Sequence, residues 1–140
     1  ERGIAKLAID NEGFNFGSNT LEESRYKDLA NFMDVVTVPF DEIYQTFQFV
    51  SGIDLIKISV EGHEAKVLNG MKGTLNSLNN KPPMIITIEG GIKHHDMEGL
   101  QIILNDLKDL GYIFDNFGKW PEETFHLVVT QQSKSTSLSP

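Results

Sequence analysis

The strongest pattern in the chain lies between residues 53 and 70, which read IDLIKISVEGHEAKVLNG. Residues 53–60 form an apolar run that only Asp54, Lys57 and Ser59 interrupt. Such a run predicts a strand apolar on both faces, the kind found in parallel sheets with helices on both sides. The period then changes. Ala65, Leu68, Met71, Leu75 and Leu78 recur at helical spacing and predict one amphipathic helix over about 63–78. Gly70 and Gly73 weaken it, by roughly 1 kcal/mol each against Ala where exposed. The segment NNKPP, 79–83, ends it.

Residues 84–89, MIITIE, repeat the buried-strand pattern. A second helix follows, with Asp96 as its N-cap, Leu100, Ile103, Leu104, Leu107 and Leu110 as its stripe, and Gly111 as its stop. Residues 112–114 start another strand, and 124–130, TFHLVVT, form the last. Upstream, 5–10 predict a short strand, 11–13 a turn, and 14–17 a returning strand. Tyr26, Leu29, Ala30 and Phe32 suggest a short helix within 24–33. Residues 35–39, VVTVP, read as a strand closed by Pro39, and 40–47 as a helix with Phe40, Ile43, Tyr44 and Phe47 on one face.

From residue 53 the order is strand, helix, strand, helix, strand, strand. That alternation predicts an α/β fold with a doubly wound, mostly parallel sheet. The last strand is reached by a loop without a helix, so it should run antiparallel, as a hairpin at or near the sheet edge. One domain is expected over residues 1–130, and the polar segment 131–140 is expected to be a disordered tail.

Composition narrows the function. The 140 residues suffice for one domain with a core. A net charge of −8 argues against a nucleic-acid binder, which needs clustered Lys and Arg, and against an anionic membrane surface. No apolar run approaches the ~20 residues of a span, so no stable membrane insertion is expected. There is no cysteine, which excludes disulfides and thiolate nucleophiles and fits a reducing, cytoplasmic setting. The first residue is Glu1, not Met, and the chain reads as a fragment or a processed piece.

Two predicted strands end in the same chemistry. One runs into Glu61-Gly62, then His63 and Glu64; the other into Glu89-Gly90-Gly91, then His94, His95 and Asp96. In open α/β sheets ligands bind beyond the carboxyl ends of the strands. On neighbouring strands, Glu61 and Glu89 would sit side by side there. A carboxylate beside another holds its proton more tightly, which suits a general base. The same pair suits a cation or the hydroxyls of a sugar. Acids at these positions also favour the positive end of the next helix, which accounts for Glu64. Lys57, inside the strand, calls for an acidic partner and reads as a structural ion pair rather than a catalytic lysine. The rim histidines and acids offer nitrogen and oxygen donors that suit zinc or manganese, but their spacing matches no compact metal motif. There is no GxSxG, P-loop, HExxH or GxGxxG. Trp120, Phe114, Phe117 and Phe125 read as core or loop anchors rather than pocket walls.

IDLIKISVEGHEAKVLNGM resembles the signature of FkbM-type methyltransferases, a strand ending K-I-D-x-E-G followed by a-E and v-L-x-G. Lys57, Ile58, Val60, Glu61, Gly62, Glu64, Leu68 and Gly70 fall in place. VVTVPFDEI resembles the family's V-x-V-x-x-L-D-x-L segment, and PMIITIEGG its P-x-I-x-x-E strand. The resemblance covers about residues 5–130 and is specific around 53–70. It implies a Rossmann-like, class I fold that uses S-adenosylmethionine to methylate a hydroxyl of a sugar or small molecule. Glu61, Glu89 and His63 are then the candidate catalytic residues. Two departures stand out. Ser59 replaces the family's aspartate, and no glycine-rich cofactor loop or ribose-binding acid precedes residue 53.

The chain therefore reads as the C-terminal part of such a domain, lacking its N-terminal strands and inactive alone. The alternative is a degenerate, non-catalytic binding module, which Ser59 favours; a metal-dependent hydrolase at the same rim is a third. Without its first-strand neighbour, the strand at 53–60 would expose an apolar edge, and self-association is expected.

Overall fold

A computed structural model describes residues 2–9, 19–21, 31–47, 52–88, 97–117 and 125–131. The elements run β1 (Gly3–Ile9), β2 (Asn31–Thr37), α1 (Phe40–Phe47), β3 (Ile56–Ile58), α2 (Glu64–Asn69), α3 (Lys72–Ser77), β4 (Met84–Ile88), α4 (Met97–Asp109), β5 (Tyr112–Phe117) and β6 (Phe125–Gln131). The result is a mixed α/β fold with a four-stranded and a two-stranded sheet.

The larger sheet has the order β3-β4-β6-β5. β3 and β4 are parallel, with Ile56 opposite Met84 and Ile58 opposite Ile86. β6 runs antiparallel to both β4 and β5. Three strands thus point one way and the last is reversed. The reversed strand lies inside the sheet, however, and β5 takes the edge. Burial accords with this order: both strands bury their core face, Tyr112 on β5 and Leu127 and Val129 on β6, but on the outer face Val128 and Thr130 of β6 are half-buried whereas Ile113 and Asp115 of β5 are exposed.

The buried side chains gather on one face of this sheet. Ile56, Ile58, Met84, Ile86, Leu127 and Val129 pack against Leu68 of α2, Leu75 of α3 and Leu100, Ile103 and Leu107 of α4. At about 25 cal/mol per Å² of apolar surface, this shared face is the main stabilising contact of the fold. The expectation that β3 is buried on both faces is corrected. Ile56 and Ile58 point into the core and Lys57 is exposed. Among the described residues β3 is a terminal strand with helices on one face, so the Lys57 ammonium stays in water. A buried ion pair is unnecessary there, because no desolvation has to be offset.

The single helix expected over 63–78 is two helices, α2 and α3, broken at Gly70 and Met71. Asp41 of α1 occupies the break. Its N–H donates to the Gly70 carbonyl (2.9 Å). Its carboxylate accepts from the N–H groups of Gly73 (3.0 Å) and Thr74 (2.7 Å). Asp41 thus caps α3 from 32 residues away, supplying what an N-cap side chain normally does locally. A Cβ on Gly73 would stand 2.8 Å from Asp41 Oδ2. The glycine that weakens the helix in isolation is what admits the cap.

β1 and β2 form an antiparallel hairpin, Gly3 opposite Thr37 and Ile9 opposite Asn31. β2 begins four residues before the predicted strand, so Phe32 and Met33 lie in a strand, not in the helix expected over 24–33. Cross-strand pairing with GIAKLAI decides this, because NFMDVVT supplies a partner at every position. Thr20 pairs with Ala8 on the other edge of β1. The tail expected from residue 131 is corrected at its first position, because Gln131 ends β6 opposite Tyr112. Residues 132–140, the remainder of 24–33, the turn expected at 11–13 and the strand expected at 14–17 lie outside the described residues. No helix among the described residues is long and apolar enough to cross a membrane.

Candidate functional site at the carboxyl end of β3

β3 leads into a tight turn at Glu61 and Gly62. Both have positive φ, 52° and 100°, and the His63 N–H donates to the Val60 carbonyl (3.2 Å). Two central residues with positive φ characterise a type I′ turn, which favours Asn-Gly or Gly-Gly. Glycine takes this geometry freely, whereas Glu61 meets the steric penalty of its Cβ. Among the described residues Glu61 is the one non-glycine with positive φ.

Two neighbours hold the turn. Glu64 is buried, and its Oε1 accepts from the N–H groups of Val60 (3.3 Å) and Gly62 (3.4 Å). Its role exceeds the helix-dipole contact expected from sequence, because it clamps the turn that carries Glu61. On the other side, the buried Thr20 hydroxyl donates to the Glu61 carbonyl (2.8 Å). Thr20 is itself fixed by backbone hydrogen bonds in both directions with Ala8. The hairpin is thereby tied to the turn.

His63 follows as the N-cap residue of α2, half-buried and without a side-chain capping bond. It lines a cleft of about 680 Å³ between the hairpin, α1 and α2. Ala5, Leu21, Phe40, Ile43, Lys66 and Val67 line it as well. Glu61 and His63 are therefore brought to one turn beside one cleft. Glu89, with Gly90, Gly91, His94, His95 and Asp96, lies outside the described residues. So do Trp120 and the side chains of Phe117 and Phe125, while Phe114 packs against the core. Among the described residues no group of three or more His, Asp or Glu could hold a metal ion.

One pair escaped sequence reasoning. Thr87 of β4 faces His126 of β6, with Oγ1 and Nδ1 3.0 Å apart. β6 is reversed, so its first residues lie at the same end of the sheet as the turn. The signal was present in FHLVVTQ, where His126 alternates with the buried Leu127 and Val129. What the strand order alone could not tell was which neighbour β6 would choose.

The family model described as methyltransferase FkbM domain matches residues 5–114. That span contains the 61–63 turn and all the described lining of the cleft. No curated protein and no solved structure gives a significant match.

Proposed function

Because this chain belongs to the methyltransferase FkbM domain family, we propose that it serves S-adenosylmethionine-dependent methyl transfer to a hydroxyl of a small-molecule or glycan acceptor. The observation that carries the proposal is the strained Glu61-Gly62 turn at the carboxyl end of β3, where ligands of open α/β sheets bind. A residue held in left-handed backbone against its preference, and locked there by Glu64 and Thr20, is typical of a functional site. The mixed sheet, with one reversed final strand, supports a Rossmann-like placement.

The cofactor, when bound, supplies an electrophilic methyl group. The described residues include no glycine-rich loop after a parallel strand and do not by themselves fit it, so their roles are on the acceptor side. Glu61 takes the proton of the acceptor hydroxyl on its carboxylate as the oxygen becomes nucleophilic. His63 orients the acceptor from the cleft. Glu89 is the second candidate base of the proposal. Most of the rate enhancement is assigned to positioning. The charge of −8 and the lack of cysteine support a cytoplasmic protein that does not act on nucleic acid.

Ser59, where the family has an aspartate, favours the second reading, a binding module without catalysis. Calorimetry with S-adenosylmethionine on the chain, and on the complete gene product containing it, separates the two. The enzyme reading expects binding by the complete product, and Glu61→Gln should then lower turnover at least tenfold with little change in cofactor affinity. Binding by neither protein sinks the enzyme reading.

A further inference from the structure

The cleft beside the 61–63 turn has a lining that suits one class of ligand better than others. Val38, Pro39, Phe40, Ile43 and Val67 make much of it apolar. Its described titratable residues are His63, the N-cap of α2, and Lys66 within that helix. Lys66 brings an ammonium to this cleft on a chain whose net charge is −8. Among the described lining residues the uncharged polar side chains are Thr37 and Asn69. Against Val38, Pro39, Phe40, Ile43 and Val67 the hydroxyls of a bare sugar would find no partner, whereas an apolar body is well placed there. A cleft of about 680 Å³ matches a small molecule of ordinary size. Lys66 and Asn69 also border a second recess of about 230 Å³ between α2 and α4, lined by Ile102 and Ile103. The lysine thus stands on a crest between two recesses with apolar walls.

We infer that the cleft binds a molecule with an apolar body and one anionic group, a carboxylate or a phosphate. The body lies on Phe40, Ile43 and Val67, and the anion meets Lys66. On the methyl-transfer reading above, on which this assignment rests, that molecule is the acceptor. His63 links the cleft to the turn bearing Glu61.

The test uses octyl phosphate, below its micellar concentration, titrated into the full chain and followed by amide NMR. The expected shifts cluster at Ile43, His63, Lys66 and Val67. Octyl glucoside, with the same tail and a neutral sugar head, should bind at least tenfold more weakly. Inorganic phosphate alone should give no clustered shifts. Lys66→Glu should weaken octyl phosphate binding at least tenfold, and Lys66→Arg should retain it. Equal binding of the two amphiphiles, shifts centred elsewhere, or a Lys66→Glu variant that binds as before would each overturn the inference. If S-adenosylmethionine displaces octyl phosphate, the cleft belongs to the cofactor and the acceptor assignment falls. If no cofactor binds at all while octyl phosphate does, methyl transfer fails and the ligand class stands.

Discussion

Glu61 is the residue where conformation and chemistry meet. A left-handed φ costs an L-residue about 1–2 kcal/mol, and glycine would escape that at the cost of about 0.5–1 kcal/mol of extra chain entropy. Glu61→Gly is therefore expected to raise the urea midpoint, by a stability gain of about 0.5–1 kcal/mol. Glu61→Gln keeps the left-handed strain and should not show this gain. A lower midpoint for the glycine variant would mean that the turn stores no strain. Tyr112 offers a second test at this scale. Its side chain is buried, its hydroxyl donates to the Pro82 carbonyl (3.0 Å), and burial pushes its pKa up to about 12. The folded value exceeds the ordinary value of about 10. The stabilisation is thus fully present below pH 10 and is lost as pH rises towards 12, by about 2–3 kcal/mol. Urea unfolding at pH 8 and pH 11.5 should show this loss in the native chain. In Tyr112→Phe it should be absent, at a cost of about 1 kcal/mol at neutral pH.

At the scale of elements, the break between α2 and α3 depends on a side chain from α1. Asp41 satisfies two N–H groups at the start of α3, and its removal by Asp41→Ala should cost about 1–2 kcal/mol. Gly73→Ala is the sharper test. In an exposed helix, Ala for Gly gains about 1 kcal/mol. Here the new methyl would press on the Asp41 carboxylate, so a net loss is expected instead. In the Asp41→Ala background the clash is gone, and the same substitution should stabilise by about 1 kcal/mol. Equal effects of Gly73→Ala in the two backgrounds would show that the carboxylate and the glycine are not coupled.

At the scale of the whole molecule, the sheet's margins matter. Among the described strands β3 has a neighbour on one side only, and Leu55 just before it is 54% exposed. Ile113 on the opposite edge strand is 44% exposed. Unpaired edges flanked by apolar side chains recruit other strands. The chain by itself should sediment as a concentration-dependent dimer or larger species, and Leu55→Glu should shift it towards monomer. A native chain that stays monomeric as concentration rises would remove this expectation. Lys57, exposed on the edge strand, works against unlimited pairing in the way charged residues on sheet edges do.

Local pattern determined much of this protein. The apolar runs specified β4 and the core of β3, the leucine stripe specified α4, and Glu61-Gly62 marked the turn, because each depends on contacts within a few residues. The family motif around residues 53–70 pointed to the site for the same reason. Tertiary structure decided the rest. It broke one helix in two, because a carboxylate 32 residues away offered a better cap than the local chain. It turned Lys57 outward, because the described helices pack on the face of β3 that Ile56 and Ile58 occupy. It placed β6 between β4 and β5, tied Thr20 to Glu61, and brought His63 and Lys66 to the same cleft as Phe40 and Ile43. Partners so far apart in sequence are chosen by packing and desolvation in the folded molecule, which no short window of residues can express.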